Sequence, residues 1–139
     1  MKLKILVGLI TLFAFTQVSL AQKVKIKKGI ALVDGKEYVK VEKESGNMSV
    51  YGLNSGDEII FMKYIDPTPQ NKQNHDSYYI VRFIDFDSEV EISRKTRKGI
   101  LKMLYKGKVI NGDSIDKAKM KSFISKYGSD ESKNKLYIR

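Results

Sequence analysis

The feature that most restricts the fold of this chain is a series of short β-prone segments, separated by turn signals, in residues 22 to 93. The first segment, KVKIK, alternates lysine with valine or isoleucine, which is the period-two pattern of a half-buried strand. The dipeptide Asp34-Gly35 between the second and third segments is the strongest short signal for a hairpin turn. The segments that we predict as strands are residues 23–27, 30–33, 38–41, 47–53, 58–65, 78–84 and 89–92. Regular spacing of six or seven such strands indicates an antiparallel meander.

The spacing of apolar residues changes from strand-like to helical after residue 93. A first helix is predicted with Ser93 or Thr96 as its N-cap and Gly107 at its end. A second helix is predicted with Asp113 as its N-cap, Asp116 in its first turn and Gly128 at its end. The apolar residues at helical spacing are Ile100, Leu101, Leu104 and Tyr105 in the first helix, and Met120, Phe123, Ile124 and Tyr127 in the second.

These patterns together predict an α+β fold. It consists of an antiparallel β-meander, either a sheet or a small open barrel of about six or seven strands, followed by two C-terminal helices that cover one face or end. We expect residues 22–139 to form one domain, with a β-rich part (22–93), a basic helical part (94–128) and a polar tail (129–139). The Leu-Tyr-Ile sequence near the end of the tail either adds a last strand or frays.

The first 21 residues have the organisation of a secretory signal peptide. Lys2 and Lys4 precede an apolar stretch, and the small residues Ser19 and Ala21 have the spacing of a cleavage site, which predicts cleavage between Ala21 and Gln22. The alternative is an uncleaved membrane anchor, but the charge-free run ending at Ala21 is short for a bilayer span of roughly 20 residues. We therefore expect a secreted protein, periplasmic or extracellular, with no transmembrane span after cleavage.

The chain contains no cysteine. This composition excludes a disulfide, a thiol nucleophile, a cysteine-ligated zinc ion and lipid attachment through cysteine.

An alternating acidic row, Asp85, Asp87, Glu89 and Glu91, is the most regular candidate for chemistry. On one strand these carboxylates would share a face with successive members roughly 6.8 Å apart. They are candidate ligands for calcium or another hard cation, or a carboxylate pair for hydrolysis. The structural alternatives are a solvated strand face and a hairpin turning at Asp87-Ser88, with its charges paired across the sheet with the lysines of 23–27.

The single histidine, His75, lies in the polar, proline-containing loop 66–76 without a nucleophile motif such as G-x-S-x-G. The ten glycines are scattered and form no phosphate-binding loop. We predict no catalytic residue and no cofactor.

The positive charge of the protein is concentrated in its C-terminal third. Residues 22–93 contain 10 Lys/Arg and 12 Asp/Glu, whereas residues 94–139 contain 14 and 4. Such a surface attracts polyanions by charge and counterion release. The chain has no recognition motif for sequence-specific nucleic-acid binding. The residues predicted to form an anionic-partner surface are Arg94, Lys95, Arg97, Lys98, Lys102, Lys106, Lys117, Lys119 and Lys121. The alternative is an ordinary solvated helix surface.

Three functions follow from these patterns. The first is a non-enzymatic binding domain that contacts an anionic polymer, a lipid surface or another protein of the bacterial envelope. The second is a small carboxylate- or metal-dependent hydrolase that uses residues 85–91. The third is an inhibitor or accessory subunit of another secreted protein, acting through a sheet edge or the 66–76 loop.

Overall fold

A computed structural model describes residues 22–66 and 77–128 of the 139-residue chain. The predicted signal peptide, loop residues 67–76 with His75, and the polar tail 129–139 lie outside the described residues. Expectations for those three segments stay predictions.

Seven strands form one antiparallel sheet in which each strand pairs with the next along the chain. They are β1 (Val24–Lys27), β2 (Ile30–Val33), β3 (Lys36–Glu44), β4 (Asn47–Tyr51), β5 (Glu58–Ile65), β6 (Tyr78–Phe83) and β7 (Ser88–Ser93). The sheet is open, with β1 and β7 at its two edges, so the meander is confirmed as a sheet and not as a barrel. Asp34 and Gly35 adopt φ values of 52° and 81°, as the tight turn between β2 and β3 requires.

Two helices follow the sheet, as predicted. The first, α1 (Arg97–Lys106), is capped by Thr96, whose hydroxyl accepts from the Gly99 N–H at 3.0 Å. The second, α2 (Lys117–Tyr127), is capped by Asp116, whose Oδ1 accepts from the Lys119 N–H at 3.0 Å. The prediction that Asp113 caps this helix is therefore wrong.

Asp113 instead belongs to a small hairpin that the sequence patterns did not predict. The hairpin consists of β8 (Ile110–Asn111) and β9 (Ser114–Ile115), paired antiparallel. The Asp113 carboxylate accepts from the Asn54 N–H at 2.9 Å and from the Ser55 N–H at 3.1 Å. It therefore ties the hairpin to the loop between β4 and β5.

The core lies between the two helices and one face of the sheet, which we call the covered face. Val109, just before the hairpin, is fully buried in it. Two β-bulges, one in β3 and one in β5, each insert one extra residue. Because of these bulges, Tyr38 and Ile59 join the side chains on the covered face. The buried residues from the helices are Ile100, Leu101, Leu104, Met120, Phe123 and Ile124. The opposite face of the sheet, the open face, carries neither of the two helices.

Candidate functional site

Helix α1 presents a stripe of lysines on its solvent side. Lys98, Lys102 and Lys106 follow each other at intervals of four residues, so they lie on one side of the helix. At ~100° of rotation per residue, this side is opposite to the buried apolar residues of α1. Lys98 and Lys106 are exposed and Lys102 is half-buried. We call these three residues the α1 lysine stripe.

The guanidinium of Arg97, one of the predicted surface residues, has a structural role. Its Nη1 donates to the carbonyl oxygens of Gly46 and Asn47, each at 3.3 Å. The side chain is half-buried and ties the start of α1 to the turn between β3 and β4. The guanidinium is therefore committed to backbone acceptors within the fold.

Arg94 and Lys95 lie in the segment between β7 and α1, and both are exposed. Arg94 adopts a positive φ of 57°, in the left-handed region that non-glycine residues rarely occupy. This conformation helps to reverse the chain between the sheet edge and the helix.

The lysines of α2 do not form a single stripe. At ~100° per residue, Lys117 and Lys121 lie on one flank of the buried apolar side, and Lys119 lies on the other flank with Lys126. All four are exposed. Lys126 Nζ lies over the Tyr127 ring, 5.1 Å from its centroid. The predicted surface therefore has an outward stripe on α1 and, on α2, the pair Lys117 and Lys121 on one flank and Lys119 on the other.

The two helices have few acidic residues near them in the sequence to neutralise their charge. Residues 94–112 contain no aspartate or glutamate, and in α2 the nearest carboxylate, Asp116, caps the helix. Among residues 22–66 and 77–128, none of the lysines of α1 and α2 lies within 4.0 Å of a carboxylate oxygen. The lysine charges of the helical layer are therefore available to an external anion.

The structure does not place the acidic residues 85–91 on one strand face. Ile84–Phe86 form a single 3₁₀ turn, and Asp87 has a φ of 48° in the left-handed region. Only Glu89 and Glu91 share a strand face, on β7. The four carboxylates therefore do not form one continuous row. The alternative of a hairpin is confirmed, but its turn consists of residues 84–87, and Ser88, predicted in the turn, already belongs to β7 and is paired with Phe83.

The partner of this acidic segment is also different from the one expected. Glu89 Oε2 accepts from Arg82 Nη2 at 3.2 Å on the neighbouring strand β6. The lysines of 23–27 are on β1, at the opposite edge of the sheet, so they cannot pair with it. Within the described part of the chain, no three His, Asp or Glu side chains are grouped as a metal site would require.

The open face carries a second feature, a shallow concavity of about 300 Å³. It is lined by Asn47, Phe61, Lys63, Ile80, Arg82 and Glu89, from four neighbouring strands. The sequence patterns did not indicate this group, because the apolar composition of β5 is typical of a well-covered strand and its register against β6 is not a local property. The alternation of Phe61 and Lys63 with the buried Ile60 and Met62 was the only signal in the sequence.

Comparison of the chain with protein-family models, with curated proteins and with solved structures finds no match. Within the described residues, no helix has the length and apolar character that crossing a bilayer requires.

Proposed function

We propose that this protein is a non-enzymatic binding domain, exported to the bacterial envelope, whose helical layer contacts an anionic partner. The observation that carries the proposal is the lysine surface of α1 and α2, which has no carboxylate within ion-pair distance in the described part of the chain. A polyanion that approached this layer would meet fixed positive charges without competing with internal ion pairs. The polymer or lipid surface would then release its own counterions.

The positions of two lysines support a role other than solubility. Lys98 and Lys117 lie in the first turns of α1 and α2, and neither first turn contains an acidic residue. A positive charge at this end of a helix opposes the helix dipole and costs about 0.3–1 kcal/mol of stability. Selection for solubility alone would be met equally well by glutamate at these positions, which favours binding as the reason for lysine.

The structure gives less support to the two alternatives. A hydrolase would need at least two carboxylates of residues 85–91 to converge, and these residues are divided between a 3₁₀ turn and the edge strand β7. An accessory subunit acting through a sheet edge would use β1 or β7. Lysines and glutamates along these two strands protect them from edge pairing, which makes them poor sites for strand addition.

The proposal predicts that binding depends on the α1 lysine stripe. The triple variant K98E/K102E/K106E should lose most of its retention on an immobilised sulfated polysaccharide such as heparin. The slope of log affinity against log salt concentration should fall by about three, because each lysine that contacts the polyanion contributes about one. Affinity is measured at several salt concentrations by isothermal titration or column elution.

The matched control is K25E/K27E/K40E, which makes the same charge change on the open face. Lys25, Lys27 and Lys40 are exposed and lie across the sheet from the helices. We expect this control to keep the salt slope of the unmodified protein. Equal losses in the two triple variants would show that overall charge, and not the helical layer, governs retention, and the proposal would be wrong.

A further inference from the structure

The concavity on the open face combines apolar and charged side chains in a regular grid. Phe61 on β5 pairs with Arg82 on β6, and Lys63 on β5 pairs with Ile80 on β6. The apolar pair Phe61 and Ile80 therefore lies on one diagonal of the grid, and the two cations lie on the other. Opposite pairs on adjacent strands are about 5 Å apart and diagonal pairs about 7–8 Å apart, so a single ring-sized group contacts all four.

The polar groups around this grid differ in how they are engaged. Arg82 donates to Glu89 through Nε at 3.4 Å and through Nη2 at 3.2 Å, so its charge is balanced by a neighbour. Lys63 is exposed, and no carboxylate oxygen of the described residues lies within 4.0 Å of its Nζ. Lys63 is therefore the charge in the concavity that an anionic group can neutralise.

Asn47 adds a neutral polar group at the rim. Its Oδ1 accepts from the Tyr64 N–H at 2.9 Å, which fixes the orientation of the amide and assigns its NH₂ group as a donor. The guanidinium of Arg82 and the carboxylate of Glu89 supply a donor and an acceptor on the other side. A ligand with hydroxyl groups would find both kinds of partner there.

From this arrangement we infer that the open face binds an acidic sugar, a pyranose ring carrying one carboxylate, as a unit of a saccharide chain. The carboxylate pairs with Lys63, the C–H face of the ring packs on Phe61 and Ile80, and the hydroxyl groups bond to Asn47, Arg82 and Glu89. The volume of about 300 Å³ is at the lower end of the range for ligand sites, as expected for a site that holds one or two rings.

Other anions fit this face less well. The lysines and the arginine on the open face are interspersed with glutamates, among them Glu42, Glu44, Glu89 and Glu91, whose charges would repel a phosphate polymer. An acyl chain would cover Lys63, Arg82 and Glu89 without offering a hydrogen-bond partner to their charged groups. A ligand with a single charge and many hydroxyl groups avoids both costs.

This site lies across the sheet from the α1 lysine stripe, so one experiment separates it from the proposed function. The full chain, labelled with ¹⁵N, is titrated with a galactose trisaccharide in which one unit is oxidised to galacturonic acid and, separately, with the neutral galactose trisaccharide, and amide shifts are followed by NMR. We expect saturable shifts at Asn47, Phe61, Lys63, Ile80 and Arg82, with a dissociation constant in the roughly millimolar range, and at least tenfold weaker binding of the neutral sugar.

Variants test which residues provide the affinity. Lys63→Met should weaken binding of the acidic trisaccharide about tenfold, because it removes the charge and keeps the aliphatic stem. Lys27→Met removes one charge from the same face four strands away and should leave the affinity unchanged. Phe61→Leu keeps apolar volume and removes the ring, and we expect severalfold weaker binding with an unchanged spectrum elsewhere.

Three results would overturn the inference. Equal affinity for the neutral and acidic trisaccharides would show that the site does not recognise a carboxylate. An unchanged affinity in Lys63→Met would show that Lys63 does not bind the carboxylate. Shifts confined to α1 and α2, with none on the open face, would agree with the proposed function and contradict this site.

Discussion

At the scale of single residues, Tyr38 shows how a bulge can bury a polar group without a partner. Its ring packs edge-on against Tyr105 at a centroid distance of 5.1 Å, and its hydroxyl group is buried without a hydrogen-bond partner among the described residues. A buried polar group without a partner costs free energy, whereas the aromatic contact stabilises the fold. Tyr38→Phe removes only the cost, so we expect the free energy of unfolding to stay equal or to rise by up to about 1–2 kcal/mol.

The same residue makes stability depend on pH under alkaline conditions. Burial, with a smaller contribution from Tyr105, raises the pKa of Tyr38 well above its ordinary value of 10.0. The unfolded chain therefore releases the Tyr38 proton near pH 10, while the folded protein retains it, and stability falls as the pH rises above 10. Tyr38→Phe should lose less stability than the unmodified protein between about pH 9 and 11.

Urea unfolding at a series of pH values measures both effects. Tyr38→Leu serves as the comparison, because it removes the hydroxyl group and the aromatic contact together and should be less stable than Tyr38→Phe at every pH. A steeper alkaline loss in Tyr38→Phe than in the unmodified protein would contradict the assignment of this pH dependence to Tyr38.

At the scale of secondary-structure elements, the first turns of the helices give a prediction that joins stability to binding. Lys98→Glu and Lys117→Glu each place a favourable charge at a helix N-terminus. Each should raise the free energy of unfolding by about 0.3–1 kcal/mol at low salt. Both should also weaken retention on a polyanion. Lys106→Glu, in the last turn of α1, is the matched control and should lower stability while it weakens binding.

Thermal unfolding and heparin affinity of these three variants are measured in the same buffer. Higher stability together with undiminished binding in Lys98→Glu would show that this lysine is not part of the anionic-partner surface.

The tie between the β8–β9 hairpin and the β4–β5 loop is a second property at this scale. Gly52 lies against it, because a Cβ atom there would come within 2.5 Å of Ser55 Oγ and 2.9 Å of the Asp113 side chain. We expect Gly52→Ala to destabilise the protein by roughly 1–3 kcal/mol through this overlap. Asp113→Ala, which leaves two backbone N–H groups without their acceptor, should cost about 1–2 kcal/mol.

Urea unfolding measures these free energies, and Gly56→Ala is the comparison variant without steric overlap. A Cβ atom at Gly56 would have no neighbour within 4 Å among the described residues, so any loss of stability in this variant comes from the φ of 73°, which strains any side chain. In the double variant with Asp113→Ala, the cost of Gly52→Ala should be smaller, since part of the overlap is removed. Fully additive costs would contradict the overlap with Asp113.

Asp113 also shows what sequence patterns can and cannot predict. Asp113 and Asp116 both precede the apolar stripe of α2 at spacings that suit an N-cap, so local rules do not choose between them. The choice depends on the contact of Asp113 with residues 54 and 55, which are 59 and 58 positions away in the chain. Strands and turns were predictable because alternation and turn residues are local signals.

At the scale of the whole molecule, the arrangement of charge is the property that the sequence predicted most directly and the structure refines. The excess of lysine after residue 93 is visible in the composition. The division of these lysines into an outward stripe on α1 and two flanks on α2 could be described only once the helix bounds were known. The hydrogen bonds of Arg97 could be described only once the position of the turn at Gly46 was known. The concavity depends on the register of β5 against β6, which no pattern within a single strand contains.

This charge arrangement predicts how the stability of the whole protein responds to salt. The formal net charge is +10, and the lysines of the helical layer repel one another without a carboxylate of the described residues in ion-pair contact. Salt screens this repulsion over a Debye length of about 10 Å at 0.1 M, so the melting temperature should rise between roughly 10 and 200 mM NaCl.

The triple variant K98E/K102E/K106E should show a smaller rise, because it places opposite charges among the remaining lysines. In K25E/K27E/K40E, where the same change occurs on a face of mixed charge, the rise should stay closer to that of the unmodified protein. Scanning calorimetry of the three proteins distinguishes local from overall repulsion. An equally reduced rise of the melting temperature in both triple variants would mean that only the net charge determines the response to salt.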